Sequence, residues 1–349
     1  GAGVGPVNFN IIDAQTAGDV ELYGATNTTL TNIDAADGAI TVVAGGAVTA
    51  VNVSATGGAD TDDISLQGTT IEVDTISASG LGDMTLTATG GGITDANATA
   101  SAVTADDLTF SSTAEVGGAN TINTTVNEIL SGQSTGTGDI NINETNDIVL
   151  TSLANTDGAI TVVAGGAVTA VNVDSSTTDD GTNNISLEGT SIEVDVINAG
   201  PVSNDVTLTS TGGGITDANA TASAVTADDL TFSSTGEVGG ANTINTTVNE
   251  ILSGQSTGTG DINISETNAI VLTSLTSSDG AITVDAGGQI TATIVTAGGS
   301  GRDVTLTTTS GDVLVGSVTA ADDQVTINSA GDIDDDGAGT PDITANVVD

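Results

Sequence analysis

Hydrophobic and polar residues alternate along this chain in short bursts, each opened by a turn residue. The bursts include Val20-Glu21-Leu22, Ile40-Thr41-Val42, Ile64-Ser65-Leu66, Met84-Thr85-Leu86, Leu108-Thr109-Phe110 and Ile140-Asn141-Ile142. The series continues through Ile160, Ile185, Val206, Leu230, Ile262, Ile282, Val304 and Val325. Such alternation buries one face of a strand and exposes the other. Successive bursts are roughly 20 to 24 residues apart, with a stretch near 32 residues from Leu108 to Ile140 and again from Leu230 to Ile262. Gly, Asn and Asp separate further short strands such as Val48-Thr49-Ala50 and Val51-Asn52-Val53, so each unit predicts three short faces. A helix would need a 3.6-residue period, and Gly90-Gly91-Gly92 forbids one there.

The bursts belong to longer repeats. The segment DGAITVVAGGAVTAVNV occurs identically at Asp37 to Val53 and at Asp157 to Val173, an offset of 120 residues. GGGITDANATASAVTADDLTFSST starts at Gly90 and again at Gly212, and ILSGQSTGTGDINI starts at Ile129 and again at Ile251. A third copy opens with DGAITV at Asp279 and then diverges. The added residues fall in turn-like segments, where a solenoid tolerates insertions. The long repeats cover about 37–156 and 157–278, with partial copies at 279–349 and 1–36.

This pattern predicts an all-β fold over residues 1–349: one continuous parallel β-solenoid, a right-handed β-helix of about 14 coils. Stacked strands would align Val, Ile and Leu in inward columns, with Phe110 and Phe232 in the same column. At about 4.8 Å per strand the rod would be on the order of 70 Å long. Ile333 to Ala345 aligns without a gap on Ile215 to Ala227, and Gly18-Asp19 matches Gly138-Asp139. The chain therefore begins and ends inside long repeats, which predicts strand edges available to another copy, joined head to tail.

Composition narrows the chemistry. Among 349 residues there are 46 acidic side chains, one basic one (Arg302), no His and no Cys, for a formal charge of −45. Imidazole bases, thiolate nucleophiles, zinc fingers and disulfides are thereby excluded. A chain this negative cannot neutralise phosphates, so neither nucleic acid nor an anionic membrane surface is expected as a partner. No apolar run approaches the roughly 18 residues of a membrane-spanning helix. High charge with 1% aromatics can signal disorder, but 37% of the residues are hydrophobic and regularly clustered, which argues for an ordered chain.

The units GDININETNDIVL, GGGITDANATASAVTADDLTFSST and INTTVNEILSG resemble the repeats of large secreted bacterial β-helix proteins, namely filamentous-haemagglutinin-like adhesins and related β-strand-repeat surface proteins. The resemblance covers nearly the whole chain and rests on repeat style. It implies an extracellular or cell-surface rod used for adhesion, matrix or filament formation. It carries no receptor-binding residues onto this sequence.

The candidate chemistry lies in the carboxylates. Asp19, Asp63, Asp83, Asp107, Asp139, Asp205, Asp229, Asp261 and Asp303 each precede the first strand of a coil. In one reading each accepts hydrogen bonds from its own turn and faces water. The alternatives are binding of divalent cations, calcium above all, and adaptation to salty surroundings. Asp332-Ile-Asp334-Asp-Asp336-Gly337 matches the D-x-D-x-D-G opening of a calcium loop. Asp332, Asp334, Asp336 and Asp342 are thus candidate metal ligands, although the twelfth position is Ile343 rather than Glu. The same segment also aligns on ITDANATAS, which makes an acidic turn the competing reading. An outward rank running Thr41, Ser65, Thr85, Thr109, Asn141 and Thr161 suggests strand-stabilising ladders, or an ice-binding face if it were doubled. Two carboxylates suffice for glycoside hydrolysis, but with one Tyr, three Phe and one Arg to hold a sugar, no enzyme is expected. Sequons at Asn97-Ala-Thr99 and Asn123-Thr-Thr125 are compatible with glycosylation. Together these features predict a structural extracellular protein, a filament subunit or adhesin stalk needing no cofactor beyond possible calcium. The alternative is a cation-dependent surface-layer or glycan-binding module.

Overall fold

Each alternating burst forms a strand, and each Gly, Asn or Asp cluster forms the turn that ends it. The computed structural model describes residues 11–96, 102–177, 181–218, 224–337 and 342–349. Every regular element among them is a β-strand, in about 15 turns of a parallel β-solenoid. No helix among the described residues is long and apolar enough to cross a membrane. The chain divides into two compact units, Gly1–Gly166 and Ala167–Asp349.

In the first unit a coil has a straight side and a bent side. The straight side is a five-residue strand such as Ile40–Ala44, with Ile40, Val42 and Ala44 turned inward. The bent side is an eight-residue strand such as Val48–Ala55, where two successive outward residues, Val51 and Asn52, mark the corner. Parallel pairing links each strand to its counterpart one coil on. Val20, Ile40, Ile64, Met84, Leu108, Ile129 and Leu150 form one buried column. On the bent side Val48, Ile71, Ile93, Val116, Ile140 and Ile160 form another. Fully burying each such side chain stabilises by about 1.5–3 kcal/mol relative to exposure, and stacking is what buries it. At the corner, Asn52 Nδ2 donates to Asn32 Oδ1 at 2.7 Å. At some closely stacked turns only glycine fits: Gly158, at φ 150°, would bring an added Cβ to 2.4 Å from the Gly138 carbonyl oxygen.

One expectation fails. Ile140 does not stack on Leu108. The strand Glu128–Thr137 intervenes and takes the straight side, with Leu108 paired to Ile129 and Phe110 to Gly132. Ile140 instead stacks on Val116, and Ile142 on Ile122, on the bent side. The next short strands, Ile148–Leu150 and Leu153–Asp157, lie on Glu128–Thr137. The 32-residue stretch is therefore about one and a half coils, after which straight and bent strands have exchanged sides. The intervening strand escapes the alternation rule because its inward residues include Gly132 and Ser134, and because a bulge at Leu130 breaks its period. The outward rank is broken too, since Thr109 is followed by Ser131 and not by Asn141.

The second unit repeats this design. Ile185, Val206, Leu230, Ile251 and Leu272 form its straight-side column. Ile192, Ile215, Val238, Ile262, Ile282, Val304 and Val325 form the other. Here Leu230 pairs with Ile251 and Phe232 with Gly254, while Ile262 stacks on Val238, so the same exchange of sides occurs.

Candidate functional site

The pre-strand carboxylates are tied to the fold across coils rather than within their own turns. Asp63 Oδ1 accepts from the backbone N–H of Asp83 at 2.9 Å, and Asp83 Oδ1 accepts from that of Asp107 at 3.3 Å. Asp19 Oδ1 accepts from Ala39 at 3.1 Å and Asp139 Oδ1 from Ala159 at 2.9 Å. In the second unit Asp261 Oδ1 accepts from Ala281 at 2.8 Å and Asp303 Oδ1 from Gln324 at 3.0 Å. Four of the donors, Ala39, Asp83, Ala159 and Ala281, are backbone N–H groups just ahead of the strand one coil later, whereas Asp107 opens its strand and Gln324 lies within the strand Val313–Asn328. A carboxylate there forms a charge-assisted bond. Asn does the same at Asn27 and Asn184, which bind the N–H groups of Ala47 and Asp205 at 3.0 and 2.7 Å.

Stacking these groups brings charge together. Among the described residues, Asp83, Asp106 and Asp107 form the one group of three acidic side chains whose ligand atoms all lie within 4.8 Å of one another. Asp106 Oδ1 also accepts from Asn127 Nδ2 at 2.6 Å. Partial burial raises the Asp83 carboxyl above its usual range; Asp63, Asp106 and Asp60 add to the rise, and the Asp107 N–H opposes it. Asp107 is raised by burial first and then by Asp83, Glu128 and Asp106. In the second unit Asp205 and Asp229 are raised by burial and by the neighbouring Asp228. Oxygens at the first group's spacing can jointly ligate a calcium ion, which takes carboxylate oxygens at about 2.3–2.6 Å.

The calcium-loop candidates are placed as follows. Asp332 donates its N–H to Asp312 Oδ1 at 2.9 Å, and its carbonyl accepts from Val313 N at 3.0 Å. Asp334 lies in the strand Ile333–Asp335, paired one coil back with Leu314. The Asp336 N–H donates to the Val315 carbonyl at 3.0 Å, and the Asp342 carbonyl accepts from Val318 N at 2.7 Å. The loop between Gly337 and Asp342 falls outside the described residues, as does the sequon at Asn97. The sequon at Asn123 is closed: Asn123 is 8% exposed and its Nδ2 donates to Asp95 Oδ2 at 3.0 Å.

Of the buried carboxylates that the alternation pattern did not single out, which also include Asp62, Asp95 and Asp217, two end straight strands. Glu144 is 2% exposed and Glu266 is 3% exposed, each inward at the end of a straight strand. Glu144 accepts from Thr124 Oγ1 at 2.7 Å, Val126 N at 3.1 Å, Thr145 N at 2.7 Å and Asn146 N at 3.1 Å. Glu266 accepts from Thr246 Oγ1 at 2.7 Å, Val248 N at 3.1 Å and Asn268 N at 2.8 Å. Burial pushes the Glu266 carboxyl up, against the pull of these donors. The signal lay in the repetition of the segment IN-x-x-E within both copies of the long repeat, at Ile140 to Glu144 and Ile262 to Glu266.

Arg302, the single cation, bridges coils. Its Nε lies 3.0 Å from Asp279 Oδ1, and its backbone N–H donates to Asp323 Oδ2 at 3.0 Å. A groove of about 390 Å³ beside it is lined by Glu237, Thr259, Gly260, Asp261 and Asp279. Comparison with known protein families, curated proteins and solved structures finds no match to this chain.

Proposed function

We propose that this chain is a structural, extracellular or cell-surface protein, a filament subunit or the stalk of an adhesin of the filamentous-haemagglutinin-like type, and that it joins copies of itself end to end. The observation that carries this reading is the use made of the carboxylates. Asp63, Asp83, Asp139, Asp261 and Asp303 bind backbone N–H groups one coil on, so the abundant charge secures a stack. Parallel pairing then offers the same surface chemistry coil after coil, which suits a spacer. Sedimentation and electron microscopy of the full chain over a range of concentrations test this. Filaments one chain wide that lengthen with concentration are expected; a single small species at every concentration contradicts the proposal.

A second reading, a cation-dependent surface-layer or glycan-binding module, is favoured by the grouping of Asp83, Asp106 and Asp107. Calorimetric titration with calcium chloride separates the two readings, because only the second requires saturable binding that Asp106→Asn and Asp107→Asn abolish.

A further inference from the structure

We propose that Glu144 and Glu266 are the residues that fix the exchange of sides: one carboxylate oxygen of each, Oε2, finds its donors only when its strand lies on the bent side of the coil before, while Oε1 is held by its own turn. The exchange occurs once in each unit, and the strand that first follows it ends in Glu both times. At the same inward position other straight strands end in Ala44, Gly68 and Ala88 in the first unit, and in Gly189, Ser210, Ala286 and Thr308 in the second. These are small or neutral, and none carries a charge into the core.

The competing arrangement is the one that alternation alone suggests, with Ile140 stacked on Leu108. Glu144 would then face Ser112, whose hydroxyl is already donated to the Ala114 carbonyl at 2.7 Å. In the second unit Glu266 would face Ser234, which is bonded to the Gly213 and Gly236 carbonyls at 2.9 and 3.0 Å. On the bent side Glu144 meets Thr124 instead, fully buried, and the N–H of Val126 beside it donates to the same oxygen. Glu266 meets Thr246 and Val248 in the same way. In the competing register the donors of its own turn remain but Oε2 is buried without a partner, which is unfavourable, so a residue that costs little in one register and more in the other selects between them. The coil after each Glu supplies a small inward residue, Ala164 or Ala286, which leaves the carboxylate room.

Because the chain has no cysteine, paired cysteine substitutions report the register directly. Thr125→Cys with Thr145→Cys closes a disulfide only after the exchange, since the two hydroxyls lie 3.1 Å apart across one coil. Thr109→Cys with Asn141→Cys closes one only in the competing stack. With Glu144 present the first pair should close and the second should not. Glu144→Leu should lower the ratio of first to second by about tenfold or more, the direction expected for a register held by a buried charge. Thr124→Val, which keeps the carboxylate and removes one donor, should shift the ratio the same way by a smaller factor. An unchanged ratio in both variants would overturn the proposal. A loss confined to Glu144→Leu, with Thr124→Val indistinguishable from the parent, would also overturn it, because side-chain volume alone would then explain the effect.

Discussion

The ring of Phe110 occupies the space that a side chain at Gly132 would need. A Cβ built on Gly132 would lie 2.5 Å from Phe110 Cζ and 2.8 Å from Leu153 Cδ1. Phe232 stands in the same relation to Gly254, at 2.5 Å. Gly132→Ala should therefore overpack the column and destabilise the fold by about 1–3 kcal/mol. Thermal melting measures this, and Phe110→Leu combined with Gly132→Ala should recover part of the loss.

Leu208 is 2% exposed in the second unit's inward column, between Leu187 and Phe232. Leu208→Asp places an unpaired carboxylate among apolar neighbours and should remove cooperative melting of that unit, as Phe110→Asp should in the first. Circular dichroism that still shows the parent transition would refute the column assignment.

Lowering the pH from neutral should stabilise this protein. Asp83, Asp107, Asp205, Asp229 and Glu266 have carboxyls raised in the folded state, chiefly by burial. A raised acid binds its proton more readily folded than unfolded, so its stabilisation is full below the unfolded pKa, about 4. That stabilisation is lost as pH rises through the higher folded value. Protonation also relieves repulsion among the −45 net charges. The melting temperature should climb as the buffer is taken from pH 7 toward the ordinary carboxylate range, and a fall over that interval would refute the prediction.

Much of this fold was legible in the sequence. Val, Ile and Leu at alternate positions, punctuated by Gly and Asp, specify stacked parallel strands because no other arrangement buries so many short apolar faces. The exchange of sides was not legible. Its intervening strand carries Gly132 and Ser134 where the pattern asks for apolar residues, and the side chain that fills the gap, Phe110, belongs to the coil before. The role of Asp was half visible: its place before each strand marked a turn, but the donor it serves lies 20 to 24 residues away, as in Asp63 to Asp83 and Asp83 to Asp107. Local turn chemistry cannot reveal a partner one coil on. Glu144 and Glu266 were hidden for the same reason, since a Glu ending a strand looks solvent-facing until its partners are placed.

On the cation-dependent reading, calcium should raise the melting temperature at low ionic strength through the Asp83–Asp106–Asp107 group. Sodium chloride at equal ionic strength should do less, and Asp106→Asn should remove the difference. Equal effects of the two salts would leave only screening.

The measurement that bears most directly on the structural role of the acidic residues is backbone amide exchange at Ala159, whose N–H donates to Asp139 Oδ1 at 2.9 Å. A hydrogen bond to a charged acceptor contributes about 1.5–3 kcal/mol. Ala159 should therefore exchange slowly in the parent chain and at least about tenfold faster in Asp139→Ala, while Ala281, held by Asp261, keeps its rate. Fast exchange at Ala159 in the parent, or an unchanged rate in Asp139→Ala, would contradict the claim that these carboxylates bind one coil to the next.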